Sequence, residues 1–405
     1  MSDRPSVAFK PVSMAGDVVG HLVWPDIFRG VAALLVCAGH LRAALFVDHE
    51  SVTNPGLLAH LFYLVSGLGH QAVMVFFVLS GFLVGGSVLR SRRKPNMVNY
   101  SLSRLTRLWV VLIPALGLTF IVDSLVLQIA PNVLNGGMHE LWGSVPAAGQ
   151  HSVGLFTLFG NALFLQSLAV PTYGSNGPLW SLAYEFWYYV AFPLLVILCT
   201  NDSGRDLWRK AVALVVLMAI IMLAPTPLRL GFVVWLMGVG VWALNQRRYG
   251  FISSPYFALF SAVVLGAALA YSKVNPVEFT GGPADIWVGL SFSLLLASLL
   301  QQRRQPALGR FFGSWARRLS DISYSFYAIH FPLVLLIGVL LGTTTVQLVP
   351  ELEGISIYLA SLAILCGAGW LMWWTTERHT PAVKRWLQGR IASVYGRHLT
   401  KESRS

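Results

Sequence analysis

Polar breaks are few along this chain. Runs of about 17–25 apolar residues, each long enough to cross a bilayer as a helix, lie near 24–46, 70–89, 106–130, 180–199, 211–226, 228–245, 252–272, 284–301, 322–342 and 355–376. Short polar connections separate them, and no internal repeat, heptad or low-complexity tract is visible. The pattern predicts an all-α, polytopic transmembrane helix bundle of about ten spans. One segment resists the count. Val153 to Val170 is apolar enough to suggest a further crossing, but a crossing there would invert every later connection. It is expected instead as a re-entrant or interfacial segment within one large outer-side loop, 131–179, where non-helical backbone must be covered by protein or line a wet cavity.

Composition agrees with a membrane protein. Of 405 residues 55% are hydrophobic and only 11% charged, against about 25% charged in soluble domains. The net charge of +12 raises the idea of a nucleic-acid partner, but the positions of the charges argue against it. With the N-terminus inside, segments 1–23, 90–107, 200–210, 246–251, 302–321 and 377–405 face the cytoplasm and hold 25 of the 29 Lys and Arg. That bias is the positive-inside rule, and it predicts both termini cytoplasmic. Residues 1–23 then form a cytoplasmic tail, 24–376 the transmembrane domain and 377–405 a basic cytoplasmic tail. The first 23 residues hold no apolar core of the signal-peptide kind, so the first span is expected to act as the insertion signal. Cys37, Cys199 and Cys366 form no CxxC, and neither a disulfide framework nor a zinc site is implied.

Candidate chemistry comes from ionisable and aromatic residues placed inside apolar runs. Arg29 and His40 are eleven positions apart in the first run. That is three helical turns plus about 20°, so they share a face at roughly 16 Å along the axis. Such residues are expensive in lipid and point to function, although Arg29 can also snorkel to headgroups and His40 can bond a neighbouring helix. Asp26, near the helix start, is placed to cap it or to hold Arg29. Arg104 and Arg107, three apart, share a face near the cytoplasmic end of span three; with Arg29 they suit phosphates, and alone they suit topology anchoring. Glu185 sits in the aromatic stretch Asn176 to Val190. Counted from the helix ends, His40 and Glu185 fall at similar depths, roughly 6–9 Å below the outer boundary at 1.5 Å per residue, so pairing between them is compatible with the sequence. Tyr324, Tyr327 and His330 recur at spacing three on one face. Ser80 and the glycines of Phe76 to Gly86 let helices approach closely. No Walker-type loop, GxSxG, HExxH or Cys/His metal set is present.

Taken together these stations resemble the acyltransferase-3 family of integral-membrane O-acyltransferases, which modify bacterial O-antigens, exopolysaccharides, nodulation factors and some macrolides. The family's first-helix D-x-x-R-G and its Arg and His with ten residues between them are similar to Asp26, Arg29, Gly30 and His40. Its F-F-x-L-S-G-F-L element resembles Phe76 to Leu83, and its R-x-x-R pair falls on Arg104 and Arg107. Its W-S-L-x-x-E-x-x-F/Y element falls on Trp180, Ser181, Leu182, Glu185 and Tyr188, and its late S-Y-x-x-Y-x-x-H element on Ser323, Tyr324, Tyr327 and His330. The resemblance covers about residues 24–381. Its closing E-[RK]-P is interrupted here by His379 and Thr380, and no role is carried onto it. No SGNH-type domain is read in the sequence, so the bundle is expected to accept and modify substrate by itself.

The resemblance implies O-acyl transfer from a cytoplasmic acyl-CoA, with acetyl the common group, to a hydroxyl of a sugar in a surface or exported glycan, at the bacterial inner membrane. Arg29, Arg104 and Arg107 are then expected to bind the CoA phosphates, His40 to act as general base, and Glu185 to hold its imidazole or bind the sugar. Ser80, Trp180, Tyr324, Tyr327 and His330 are candidates for lining the substrate path. The expected partners are acyl-CoA, a carbohydrate or glycolipid acceptor and membrane lipid, with no tightly bound cofactor, no metal and no nucleic acid. A secondary transporter or a polysaccharide or lipid exporter without acyl-transfer chemistry is the alternative, since intramembrane ionisable residues mark such paths as well. Transporters often carry inverted repeats, and none is visible here.

Overall fold

In lipid the backbone has no water to bond, and a helix satisfies every group locally. The computed structural model describes residues 23–90, 97–134, 142–145, 147, 149–200, 207–275, 282–302 and 307–402, with side chains throughout except at 307–313, 392 and 394–402. In chain order the helices are α1 Val23–Leu45, α2 Leu57–Ser66, α3 Gly69–Ser80, α4 Gly86–Arg90, α5 Met97–Ile129, α6 Leu155–Ala162, α7 Trp180–Cys199, α8 Leu207–Leu223, α9 Thr226–Leu244, α10 Pro255–Val274, α11 Pro283–Gln301, α12 Ala307–Leu340, α13 Leu352–Thr375 and α14 Thr380–Glu402. The named strands among the described residues, β1 His151–Ser152 and β2 Thr172–Tyr173, pair in parallel.

Among the described residues nine helical segments are long and apolar enough to cross a membrane. The expected run at 211–226 is present as α8, but α8 has 17 residues and ends before the bend at Pro225 that starts α9. At 1.5 Å per residue it reaches about 25 Å, short of a hydrocarbon core of about 30 Å. The run expected at 70–89 is part of a longer segment, Leu57–Arg90, because the apolar α2 leads into it. Val153 to Val170 does not cross as a helix: α6 has 8 residues. Its Leu155, Phe156 and Phe159 stay exposed. Asn161 ends it by donating to the carbonyls of Thr157 and Pro171 and accepting from the Tyr173 amide, which turns the chain inward. The basic tail is mostly the helix α14, which packs beside α5. The expected N-terminal tail, up to residue 22, and the basic turn 91–96 lie outside the described residues.

Two packing arrangements position the site. First, α1 and α12 run side by side in the same direction. Arg29 meets Ser320 at one end, and the rings of His40 and His330 lie 5.3 Å apart further along. A Cβ on Gly30 would come within 2.7 Å of the Leu319 Cβ, so the two backbones touch there. Tyr358 on α13 holds the pair from the far side through a 3.0 Å hydrogen bond to the Ala38 carbonyl. Second, α3 passes through a wide π turn, Gly81–Gly85, into α4. Opposite it, Gly238 of α9 faces Gly81; a methyl on either would overlap the other helix's backbone, at the Val78 or the Trp235 carbonyl oxygen. The packing is close enough to bury Trp235 completely.

The connection after α6 dives into the bundle. Asp123 on α5 is 1% exposed and accepts 2.7 Å hydrogen bonds from both the amide and the hydroxyl of Ser175. Gly174, at φ +56°, lies against that carboxylate, where a side chain would collide with it. Asn176 then donates to Thr119 and to the Ala328 carbonyl in the middle of α12. The first turn of α7 therefore begins inside the bundle and not at its surface.

Candidate active site

Five helices converge on a cavity of about 100 Å³ near the end of the bundle where α1 starts. Arg29 enters from α1, Arg104 and Arg107 from α5, Glu185 from α7, Ser80 from the end of α3 and Tyr324 from α12. The three arginines picked out by their spacing are thus brought together. Arg29 donates to the Ser320 hydroxyl at 3.4 Å, and that hydroxyl donates to Asp26 at 3.1 Å, so Asp26 holds Arg29 through a serine. Arg104 reaches Ser87 at 3.5 Å and lies over the rings of Tyr100 and Tyr189. Its Nε is buried with no hydrogen-bond partner among the described residues. None of the three arginines is within salt-bridge distance of a carboxylate among the described residues. Three guanidiniums face one lining carboxylate, an imbalance that an anionic ligand would offset.

That carboxylate, Glu185, ends a directed chain of hydrogen bonds. The Trp235 indole donates to Ser80 at 3.0 Å, Ser80 meets the Tyr189 hydroxyl at 3.2 Å, and Tyr189 donates to Glu185 at 2.5 Å. Ser80 thus serves both packing and the cavity wall. Tyr324 lines the cavity and donates to the Leu108 carbonyl at 3.1 Å. Tyr327 closes the cavity: its hydroxyl donates to the Pro178 carbonyl at 2.9 Å and accepts from Ser181 at 2.6 Å.

On the other side of Tyr327 lies a second cavity, of about 470 Å³. His40, Arg42, His70 and Trp180 line it, and the connection that contributes Gln150, Thr172 and Gly177 covers it. His330 is 1% exposed beside His40. Its Nδ1 pairs with the Tyr327 carbonyl at 2.6 Å, and a carbonyl only accepts, so that nitrogen carries the hydrogen. Its Nε2 is buried without a partner among the described residues.

The pairing of His40 with Glu185 that the sequence allowed is not formed. The two side chains line different cavities, with Tyr327 and Val73 on the walls of both. The reason is the diving connection. Because α7 starts beneath Tyr327, Glu185, one turn past Ser181, falls on the arginine side. Trp180, at the very start of α7, stays on the His40 side. Glu377, at the break after α13, accepts from the amide and hydroxyl of Ser325 and does not line either cavity.

These motifs and their convergence can be set beside known proteins. A family model described as an acyltransferase domain matches residues 22–374. The chain belongs to the acyltransferase-3 family. Acyltransferase MdmB of Streptomyces mycarofaciens is 28% identical over 331 residues, which is 76% of this chain and 77% of that protein. No solved structure matches. With membrane-length helices along most of its length, this acyltransferase-3 protein is a multi-pass membrane acyltransferase. Its sequence motifs account for the arginine cavity and for His40. They do not reach His70 and Asp285, which pair at 2.7 Å across 215 positions. The available signal was an ionisable residue near the start of each of two apolar runs.

Proposed function

We propose that the protein transfers an acyl group, acetyl in the simplest case, from a cytoplasmic acyl-CoA to a hydroxyl of a sugar in a surface or exported glycan, at the bacterial plasma membrane. The observation that carries this is the pair of cavities sharing Tyr327 as a wall, one rich in guanidinium and the other holding His40. CoA is anionic at its nucleotide end and slim and neutral along its pantetheine arm. A space of about 100 Å³ suits a phosphate or the arm rather than an adenosine. The nucleotide would remain at the mouth, with its phosphates against Arg29, Arg104 and Arg107. The thioester would then approach Tyr327, and the acceptor hydroxyl would wait in the larger cavity with His40.

In that arrangement His40 takes the hydroxyl proton as the oxygen attacks the thioester carbon. The carbon–sulfur bond breaks, CoA leaves as thiolate, and the imidazolium returns the proton to sulfur. General-base help of this kind is worth roughly 10²–10⁴-fold. Glu185, on the arginine side, serves as counter-charge to the guanidiniums and holds Tyr189, while His330 packs against the base. The test is acyl transfer by purified protein in detergent, where no gradient exists to drive transport. His40→Ala is expected to abolish transfer at unchanged protein level. Undiminished transfer by a well-folded His40→Ala would refute this role.

A further inference from the structure

The larger cavity holds an imidazole–carboxylate pair that no motif of the family resemblance includes. His70 is the second residue of α3 and Asp285 the third of α11. Their Nε2 and Oδ1 atoms are 2.7 Å apart. The burial is one-sided: the Asp285 side chain is 2% exposed and the His70 side chain 31%, and His70 opens onto the cavity that His40 lines. A pair that merely clamps two helices gains by burying both partners. Here the carboxylate is sealed away and the ring is presented to the cavity.

The chemistry of that ring follows from its partner. A carboxylate accepts, so Nε2 carries the hydrogen, and in the neutral ring Nδ1 is left with a lone pair. Among the described residues no hydrogen bond is made to Nδ1. His40 and His70 also leave α1 and α3 where the two backbones touch. A Cβ on Gly39 would lie 3.6 Å from the Gly69 Cα, and one on Gly69 would lie 3.4 Å from the Val36 Cα. Two imidazoles therefore open into one cavity from adjoining backbone positions, and Trp180 contributes an aromatic ring to the same wall.

We propose that His70, oriented by Asp285, is a hydroxyl anchor for the acceptor, and that the acceptor is a polyol gripped at two hydroxyls. His40 takes the hydroxyl that reacts, and His70 Nδ1 accepts a hydrogen bond from a second one. This rests on the acyl-transfer reading and adds to it a second contact to the acceptor, made by His70 at a hydroxyl that does not react.

The experiment uses the full-length protein in detergent, acetyl-CoA as donor, and a panel of methyl glycosides with cyclohexanol as the monohydric control. Ester products are read by mass spectrometry. The expected result is ester on a glycoside and none on cyclohexanol. His70→Ala then raises the acceptor KM about tenfold, the scale of one lost hydrogen bond, and leaves the KM for acetyl-CoA where it was. Asp285→Asn raises the acceptor KM severalfold, and His70→Gln, which keeps an acceptor oxygen, recovers part of the loss. Melting temperatures identify a His70→Ala that fails to fold, in which case the near-isosteric Gln and Asn variants carry the test. Cyclohexanol used as well as the glycosides, or variants that leave the acceptor KM unchanged or raise both KM values alike, would overturn the proposal and leave acyl transfer standing. No ester on any acceptor with the wild-type protein would overturn the acyl-transfer reading and this inference with it.

Discussion

Arg29, Arg104 and Arg107 set the electrostatic character of the smaller cavity, because Glu185 is the one carboxylate lining it among the described residues. An arginine and a carboxylate at one cavity act on a phosphate with opposite sign. Arg104→Gln is therefore expected to raise the KM for acyl-CoA about tenfold or more, since hydrogen bonds to charged groups are worth about 1.5–3 kcal/mol. The acceptor KM should hold in the same steady-state assay. Glu185→Gln should move the donor KM the other way, because it removes the negative charge lining that cavity. A collapse of kcat with unchanged donor KM in Glu185→Gln would instead make this carboxylate part of proton transfer.

Among the elements, the tightest constraint is where α3, its π turn and α9 cross at Gly81 and Gly238. Overpacking a well-packed interior costs about 1–3 kcal/mol, and here a methyl would meet main chain that cannot rotate away. Gly238→Ala is expected to lower the melting temperature in detergent by several degrees. Gly240→Ala, with nothing within 4 Å of its added methyl, should not. The elements also explain what could be read from sequence. The Arg29–His40 face and the Arg104–Arg107 pair were legible, because helical periodicity over a few turns fixes which side chains align. The placement of Glu185 in a different cavity from His40 was not legible. Residue counting assumes that a helix starts at the membrane boundary, whereas Asp123, Ser175 and Asn176 draw the start of α7 into the bundle. The His70–Asp285 pair was illegible for another reason: it depends on α3 lying beside α11, a neighbour relation that apolar periodicity does not encode. The extra apolar helix α2 was missed because the Ser66–Gly69 break divided it from the run that followed.

Across the whole molecule, the two cavities share two side chains as walls, Tyr327 and Val73, and Tyr327 is the polar one of the two. Tyr327 is on both walls and is fastened to Pro178 and Ser181. In the proposed transfer, acyl passage from one cavity to the other must move this ring or slip past it. Tyr327→Ala is expected to join the two spaces, so that water reaches the thioester. Acyl-CoA hydrolysis should then rise relative to acyl transfer, measured as CoA released against ester formed. Tyr327→Phe keeps the ring and loses the hydrogen bonds, and should fall between the two.

The fastening of that ring also bears on the cell's energy supply. Under the proposed function the protein trades groups between the two faces of a plasma membrane, which makes it a potential short circuit for protons. In the proposed transfer, closure by the Tyr327 ring, locked to the start of α7, and by Val73 beside it would let an acyl group cross without a standing column of water behind it. Proteoliposomes of the wild-type protein are expected to hold an imposed proton gradient, and those of Tyr327→Ala to dissipate it.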